Sequence, residues 1–169
     1  MNSLELIALK NFPEVEPGNN IAELIVNNIN VNNVSIDDLD IIVIAQKVIS
    51  KAENRYVDLD KINISDQAKK LAFNLKKDEG LVQAIINESN KIISTEKNVI
   101  IVEHKLGFIN INAGIDQSNI PQTDNLALLL PENPSKSAKV IQTSLSNQLN
   151  KNISCLLYTS PSPRDATLS

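Results

Sequence analysis

The sequence predicts a mixed α/β fold, of the α/β or α+β kind, and three observations point to it. Short apolar runs of strand length alternate with stretches whose apolar residues recur at helical spacing. Turn residues separate the two kinds of segment, as at Pro17-Gly18-Asn19. One run, Ile41-Ile42-Val43-Ile44-Ala45, is continuously apolar, the pattern of a strand covered on both faces.

Leu4 to Leu9 reads as a first short strand, closed by the turn Lys10-Asn11-Phe12-Pro13. Ile21 to Ile29 places Ile21, Leu24, Ile25 and Ile29 on one helical face. Asp37, Asp38 and Asp40 then lead into the apolar strand Ile41–Ala45. Ser65 is an N-cap for a helix over Asp66 to Leu75, because its hydroxyl can accept a first-turn N–H. A further helix is expected from Glu79 to Ile93, with Leu81, Ile85, Ile86 and Ile93 on one side. Val99–Val102, Phe108–Ile111 and Leu126–Leu130 read as strands. Ser135 to Leu149 reads as a last helix, with Ala138, Ile141, Leu145 and Leu149 in step. There is no internal repeat.

The 169 residues fit one domain, and the apolar share of 42% suffices for a core. Aromatic residues are only 3% and Trp is absent, so Ile, Leu and Val must do the packing. A net charge of -4 with scattered lysines argues against a nucleic-acid partner, which needs a basic face. No apolar run approaches the ~20 residues of a membrane span, and the N-terminus lacks signal-peptide order. The lone Cys155 excludes an internal disulfide framework or a cysteine zinc cluster. A soluble, intracellular chain without membrane contact is the expectation.

The last residues change character. Asn152-Ile153 reads as the start of a buried strand, but CLLYTSPSPRDATLS follows, where Pro161 and Pro163 forbid regular structure. Residues 1–154 are therefore read as the domain and 155–169 as a non-native or disordered tail, without a partner in the fold.

Four segments could carry chemistry. The turn Lys10-Asn11-Phe12-Pro13 follows a strand, and ligands of α/β sheets bind at the carboxyl ends of strands; an ordinary turn has the same composition. AQKVISKAE, residues 45–53, sets Gln46, Lys47, Ser50 and Lys51 after the buried strand, cations and hydrogen-bonding groups that suit a triphosphate or simply a solvated basic turn. In NINAGIDQSN, residues 110–119, Gly114 permits a bend beside Asp116, with Ser118 and Asn119 close by. One carboxylate among amides and hydroxyls suits a hard cation such as Mg2+ or Mn2+, and an Asx-turn equally. Glu103-His104-Lys105 holds the only histidine, read as a surface or interface residue because no second titratable partner of the usual catalytic kind adjoins it in sequence. No GxxxxGK[ST], GxSxG or HExxH motif is present.

In order, LKNFPEVEPGNNIAELI, DIIVIAQKVISKAENRYVDL, KLGFININAGIDQSN and LLLPENPSKSA resemble the coenzyme F420-0:L-glutamate ligase (F420-0:gamma-glutamyl ligase) family, up to about Ile153. The resemblance implies the N-terminal part of that family's distinctive α/β fold. It implies a cytoplasmic, homodimeric enzyme that uses GTP to join L-glutamate to the deazaflavin precursor coenzyme F420-0 through an acyl phosphate. A divalent metal, Mg2+ or Mn2+, is implied as cofactor, with K+ assisting. By match to the family motifs, Lys10, Asn11, Phe12, Pro13, Gln46, Lys47, Lys51 and Asn119 would contact GTP, and Asp116 would bind metal; no catalytic residue is singled out. The family's later Ser/Thr-Asp-Thr metal-binding stretch has Tyr158, Thr159 and Ser160 in its register here, without the carboxylate. The expectation is a truncated chain that does not ligate by itself. The alternative is a nucleotide- and metal-binding module without catalytic activity.

Overall fold

The structure, a computed structural model, describes residues 4–96, 98–118 and 125–159. In chain order the elements are α1 (Ile21–Val31), β1 (Ile41–Ala45), α2 (Gln46–Ala52), β2 (Tyr56–Asp58), α3 (Asp66–Leu75), α4 (Glu79–Asn87), β3 (Ser89–Ser94), β4 (Ile101–His104), β5 (Ile109–Ile111), β6 (Leu126–Leu128), α5 (Pro134–Leu149) and β7 (Ser154–Tyr158). The mixed α/β class is as the sequence predicts. The elements fall into two compact units, residues 1–54 with 134–169, and residues 55–133, where the sequence suggested one body.

In the first unit, β1 and β7 form a parallel pair in the register Ile41↔Ser154 to Ala45↔Tyr158. Asn20 caps α1 by accepting the Glu23 N–H at 3.4 Å, and Ile21, Ile25 and Ile29 bury one stripe of the helix. That stripe meets Ile44, Ile49, Ile141, Leu145 and Ile153 in an aliphatic core. Two expectations are corrected here. Among the described residues the sheet is covered on one face only: Ile41 and Val43 are 60% and 53% exposed, while Ile42 and Ile44 turn to the core. Residues after Ser154 do have a partner: Cys155 and Leu157 alternate inward onto the core, so the strand begun at Ile153 continues to Tyr158 before the prolines. Burial pushes the Cys155 thiol up, so it behaves as a small apolar side chain.

The second unit holds two antiparallel arrays, β2–β6 and β3–β4–β5. Ser65 caps α3 as predicted, its hydroxyl accepting the Ala68 N–H at 3.2 Å. Asp78 caps α4 through the Leu81 N–H at 2.8 Å. The core is Ala68, Ala72, Val82, Ile85, Ile100, Val102 and Ala113. The helix expected to run to Ile93 stops at Asn87, and Ile92 and Ile93 belong to β3. Local spacing could not decide this. Ser89 donates its hydroxyl to the Ile85 carbonyl at 2.5 Å, closing the helix, and pairing Ile92 with Val102 satisfies the backbone of two β-branched residues. The strand expected over Leu4–Leu9 is also absent, and Leu4, Leu6 and Ile7 are exposed. An apolar run becomes a strand only where a ladder partner takes its N–H and C=O groups.

Candidate functional site

The structure brings the first two segments together in the first unit. The parallel strands β1 and β7 run in the same direction, so Ala45 and Tyr158 end at one edge. α2 starts directly after Ala45 and carries Gln46, Lys47 and Lys51, where the sequence suggested a turn. Polar side chains at the carboxyl edge of parallel strands are the usual position for ligand groups in α/β sheets. Lys51 is enclosed, with a side chain 12% exposed, and it pairs with Glu14. The ammonium holds the Glu14 carboxyl below the usual carboxylate range, first through the hydrogen bond and then through charge. Glu14 directly follows Pro13, so this pair ties the Lys10–Pro13 turn to α2.

The turn itself is fixed by two residues that the sequence did not single out. Asn32 accepts the Lys10 N–H at 3.0 Å and donates to the Lys10 carbonyl at 3.2 Å. Asn28, buried on α1, donates toward the Lys10 and Asn11 carbonyls, both at 3.4 Å. Asn28 and Asn32 stand four apart, one above the other on the helix, and their spacing was the available signal. With its carbonyls held this way, Asn11 takes a left-handed conformation (φ 55°), which asparagine tolerates. Phe12 packs against the unit's core and Pro13 is exposed.

Asp116 lies in the second unit. β5 leads into the tight turn Asn112–Gly114, three residues with positive φ in succession. Asn112 anchors it on both sides: its N–H donates to the Ile100 carbonyl at 2.7 Å, and its side-chain oxygen accepts the Ile100 N–H at 3.3 Å. Ala113 accepts the left-handed conformation with its methyl fully buried in the core. Asp116 then pairs with Leu128 through two backbone hydrogen bonds of 3.0 and 2.8 Å, and its carboxylate accepts the Ser118 N–H at 2.7 Å. The Asx-turn reading is thus present, and it orients the carboxylate of a half-buried loop. Oxygen donors of this kind fit a hard divalent cation. Among the described residues no three His, Cys, Asp or Glu side chains converge as a complete metal set. Asn119 lies outside the described residues.

His104, expected as a surface or interface residue, is 2% exposed. Glu88, sixteen positions earlier, lies 4.0 Å from its Nε2, a neighbour invisible in the local sequence.

Lysine and amide groups at a parallel strand edge in one unit, and a carboxylate loop in the other, define a mixed α/β protein with polar loops. The family model described as F420-0:Gamma-glutamyl ligase matches residues 10–167. A coenzyme F420:L-glutamate ligase of Methanothermobacter thermautotrophicus is 37% identical over 154 residues, 91% of this chain and 60% of that protein. Those of Halorubrum lacusprofundi and Methanocaldococcus jannaschii are 38% and 40% identical over 82% and 72% of this chain, and 55% and 48% of their own lengths. The chain belongs to the F420-0:gamma-glutamyl ligase family. It spans about half to three-fifths of the length of these relatives. Among the described residues, no helix is long and apolar enough to cross a membrane.

Proposed function

We propose that this chain contributes the nucleotide-binding strand edge and one metal-binding carboxylate to a ligase that joins L-glutamate to coenzyme F420-0 at the expense of GTP. The observation that carries this reading is the family match over residues 10–167, which covers both the 10–13 turn and the Asp116 loop. In the reaction a carboxylate of F420-0 attacks the γ-phosphorus of GTP, giving an acyl phosphate and GDP. The amine of glutamate then attacks the acyl carbon, phosphate leaves, and an amide results. Phosphoryl transfer of this kind rests on positioning and charge neutralisation.

Lys51 would supply fixed positive charge to GTP, with Lys47, Gln46 and the Lys10–Pro13 turn as further contacts and Asn119 completing them. The exposed Glu14 is an easily displaced placeholder for the phosphate that Lys51 would meet. Asp116 would hold Mg2+ or Mn2+, whose charge, when bound, offsets that of the phosphate oxygens. K+, a cytoplasmic setting and a homodimer complete the proposal. With Asp116 as its one proposed metal-binding carboxylate, the 169-residue chain alone is expected to bind metal weakly and not to ligate.

The test is a chimera in which this chain replaces the matching segment of the Methanothermobacter relative. Incubated with F420-0, GTP, Mn2+ and L-glutamate, it should give a product heavier by one glutamyl unit, read by mass spectrometry. GTP binding without that product would favour a binding module without catalysis. Ligation by the 169-residue chain alone would refute its expected inactivity.

A further inference from the structure

His104 ends β4, where the chain turns through Lys105–Gly107 into β5, and it is a buried titratable group that the proposed ligase chemistry leaves unused. Its Nδ1 accepts the Leu106 N–H at 2.9 Å. An imidazole nitrogen that accepts carries no proton, so the neutral ring must hold its proton on Nε2. That Nε2 is buried and makes no hydrogen bond; the Glu88 carboxylate stands 4.0 Å away, about 1 Å beyond bonding reach. Phe108 stacks on the ring, centroids 5.2 Å apart and planes 4° from parallel. The backbone closes the same turn: His104 N–H donates to the Phe108 carbonyl and Gly107 N–H to the His104 carbonyl, each at 2.8 Å.

We propose that His104 is an acid-sensitive latch on the β4–β5 turn: neutral, it holds the Leu106 N–H through Nδ1, and on taking up a proton it must release it. The incoming proton can go only to Nδ1, the one nitrogen with a lone pair. There it converts an acceptor into a donor facing another donor, and the Leu106 hydrogen bond is lost. The charged ring has a replacement partner on its other side. Moving Nε2 about 1 Å toward Glu88 makes a charge-assisted hydrogen bond and carries Nδ1 away from Leu106.

Among the described residues, three charged groups act on the ring. Glu88, at the end of α4, favours the imidazolium; Lys105 in the turn and Arg55 ahead of β2 oppose it. Arg55 also competes for the carboxylate, its Nη2 lying 3.0 Å from Glu88 Oε2 while its Nε donates to the Leu130 carbonyl at 2.9 Å. Glu103, the preceding residue on β4, is engaged by Lys91 at 3.5 Å and Asn90 at 3.3 Å. Burial is the largest influence and keeps His104 neutral below the ordinary imidazole range, against the pull of Glu88. The latch is therefore closed at neutral pH and opens only in acid. β5 leads directly to the Asn112–Gly114 turn and Asp116, so the hairpin that His104 holds is the one that carries that loop.

The experiment is nitrogen-15 NMR of the 169-residue chain from pH 8 to pH 4.5. The ring should show the Nε2–H tautomer at neutral pH. The protection factor of the Leu106 amide should fall at least tenfold in step with the titration of His104, while the Ile25 amide in the first unit keeps its protection. In His104→Asn, whose side-chain oxygen can take the place of Nδ1 but cannot titrate, Leu106 should stay protected throughout. An Nδ1–H tautomer, or Leu106 protection indifferent to the titration of His104, overturns the proposal. Loss of Leu106 protection at the same pH in a folded His104→Asn protein overturns it too.

Discussion

Replacing Gly80 by alanine should destabilise the second unit, against the ordinary effect of that substitution. Gly80 is the second residue of α4 and is buried. In an exposed helix interior, glycine to alanine gains up to about 1 kcal/mol, because alanine loses less backbone entropy. Here the added Cβ would meet the Leu59 carbonyl oxygen at 2.4 Å, the Leu59 Cβ at 3.0 Å and the Asp78 Oδ1 at 3.1 Å. The first contact is with backbone, so no rotamer change relieves it, and the Asp78 oxygen is the atom that caps α4 through Leu81. Forcing an extra methyl into a packed site costs about 1–3 kcal/mol, and disturbing an N-cap adds about 1 kcal/mol. Set against the gain in helix propensity, the net should be a loss of roughly 1–3 kcal/mol. Native-state amide exchange at Val102, in the core of the same unit, reads it directly and does not depend on whether the two units unfold together. Unchanged or slower exchange at Val102 would show that Leu59 and α4 are not packed this closely, and would refute the reasoning.

Leu145→Ala, at a fully buried position of α5, should cost the first unit about 2–5 kcal/mol in urea unfolding, with the folded spectrum retained. Asp116→Asn keeps an oxygen to accept the Ser118 N–H, so the loop should persist, while the Mn2+ needed to support ligation by the chimera rises at least ~10-fold through loss of a charge; an unchanged metal requirement would make Asp116 purely structural. Lys51→Met should change stability by less than about 1 kcal/mol, because Glu14 is exposed, yet abolish measurable GTP binding by calorimetry. The carboxyl of Glu14 is held below its ordinary 4.5, so its ionised pairing is present above that pH and is lost as pH falls through the lower folded value. Glu14→Gln should therefore remove this acid dependence and strengthen GTP binding near neutrality; weaker binding would mean that Glu14 positions Lys51 and does not compete for it.

Elements whose cause is local could be read from the chain of residues alone. Ser65 specified the start of α3 through a hydroxyl that needs only its own first turn, and the Ile21–Ile25–Ile29 stripe specified α1. The ordered motifs around Lys51 and Asp116 were enough to indicate the family, whose model matches residues 10–167. Tertiary structure decided whatever depends on a partner far along the chain. Ile92 and Ile93 satisfy a helical pattern and a strand pattern alike, and only the ladder to Val102 selects the strand. The alternation of Cys155 and Leu157 was visible, but β1 had to be present before that stretch could count as sheet. Ile41–Ala45 looked buried on both sides because hydrophobicity reports what can be covered, and the supply of covering elements is a property of the whole fold. His104 makes the same point at one residue: its nearest acid, Glu88, is brought beside it when β3 returns against β4, and no window along the chain contains that approach.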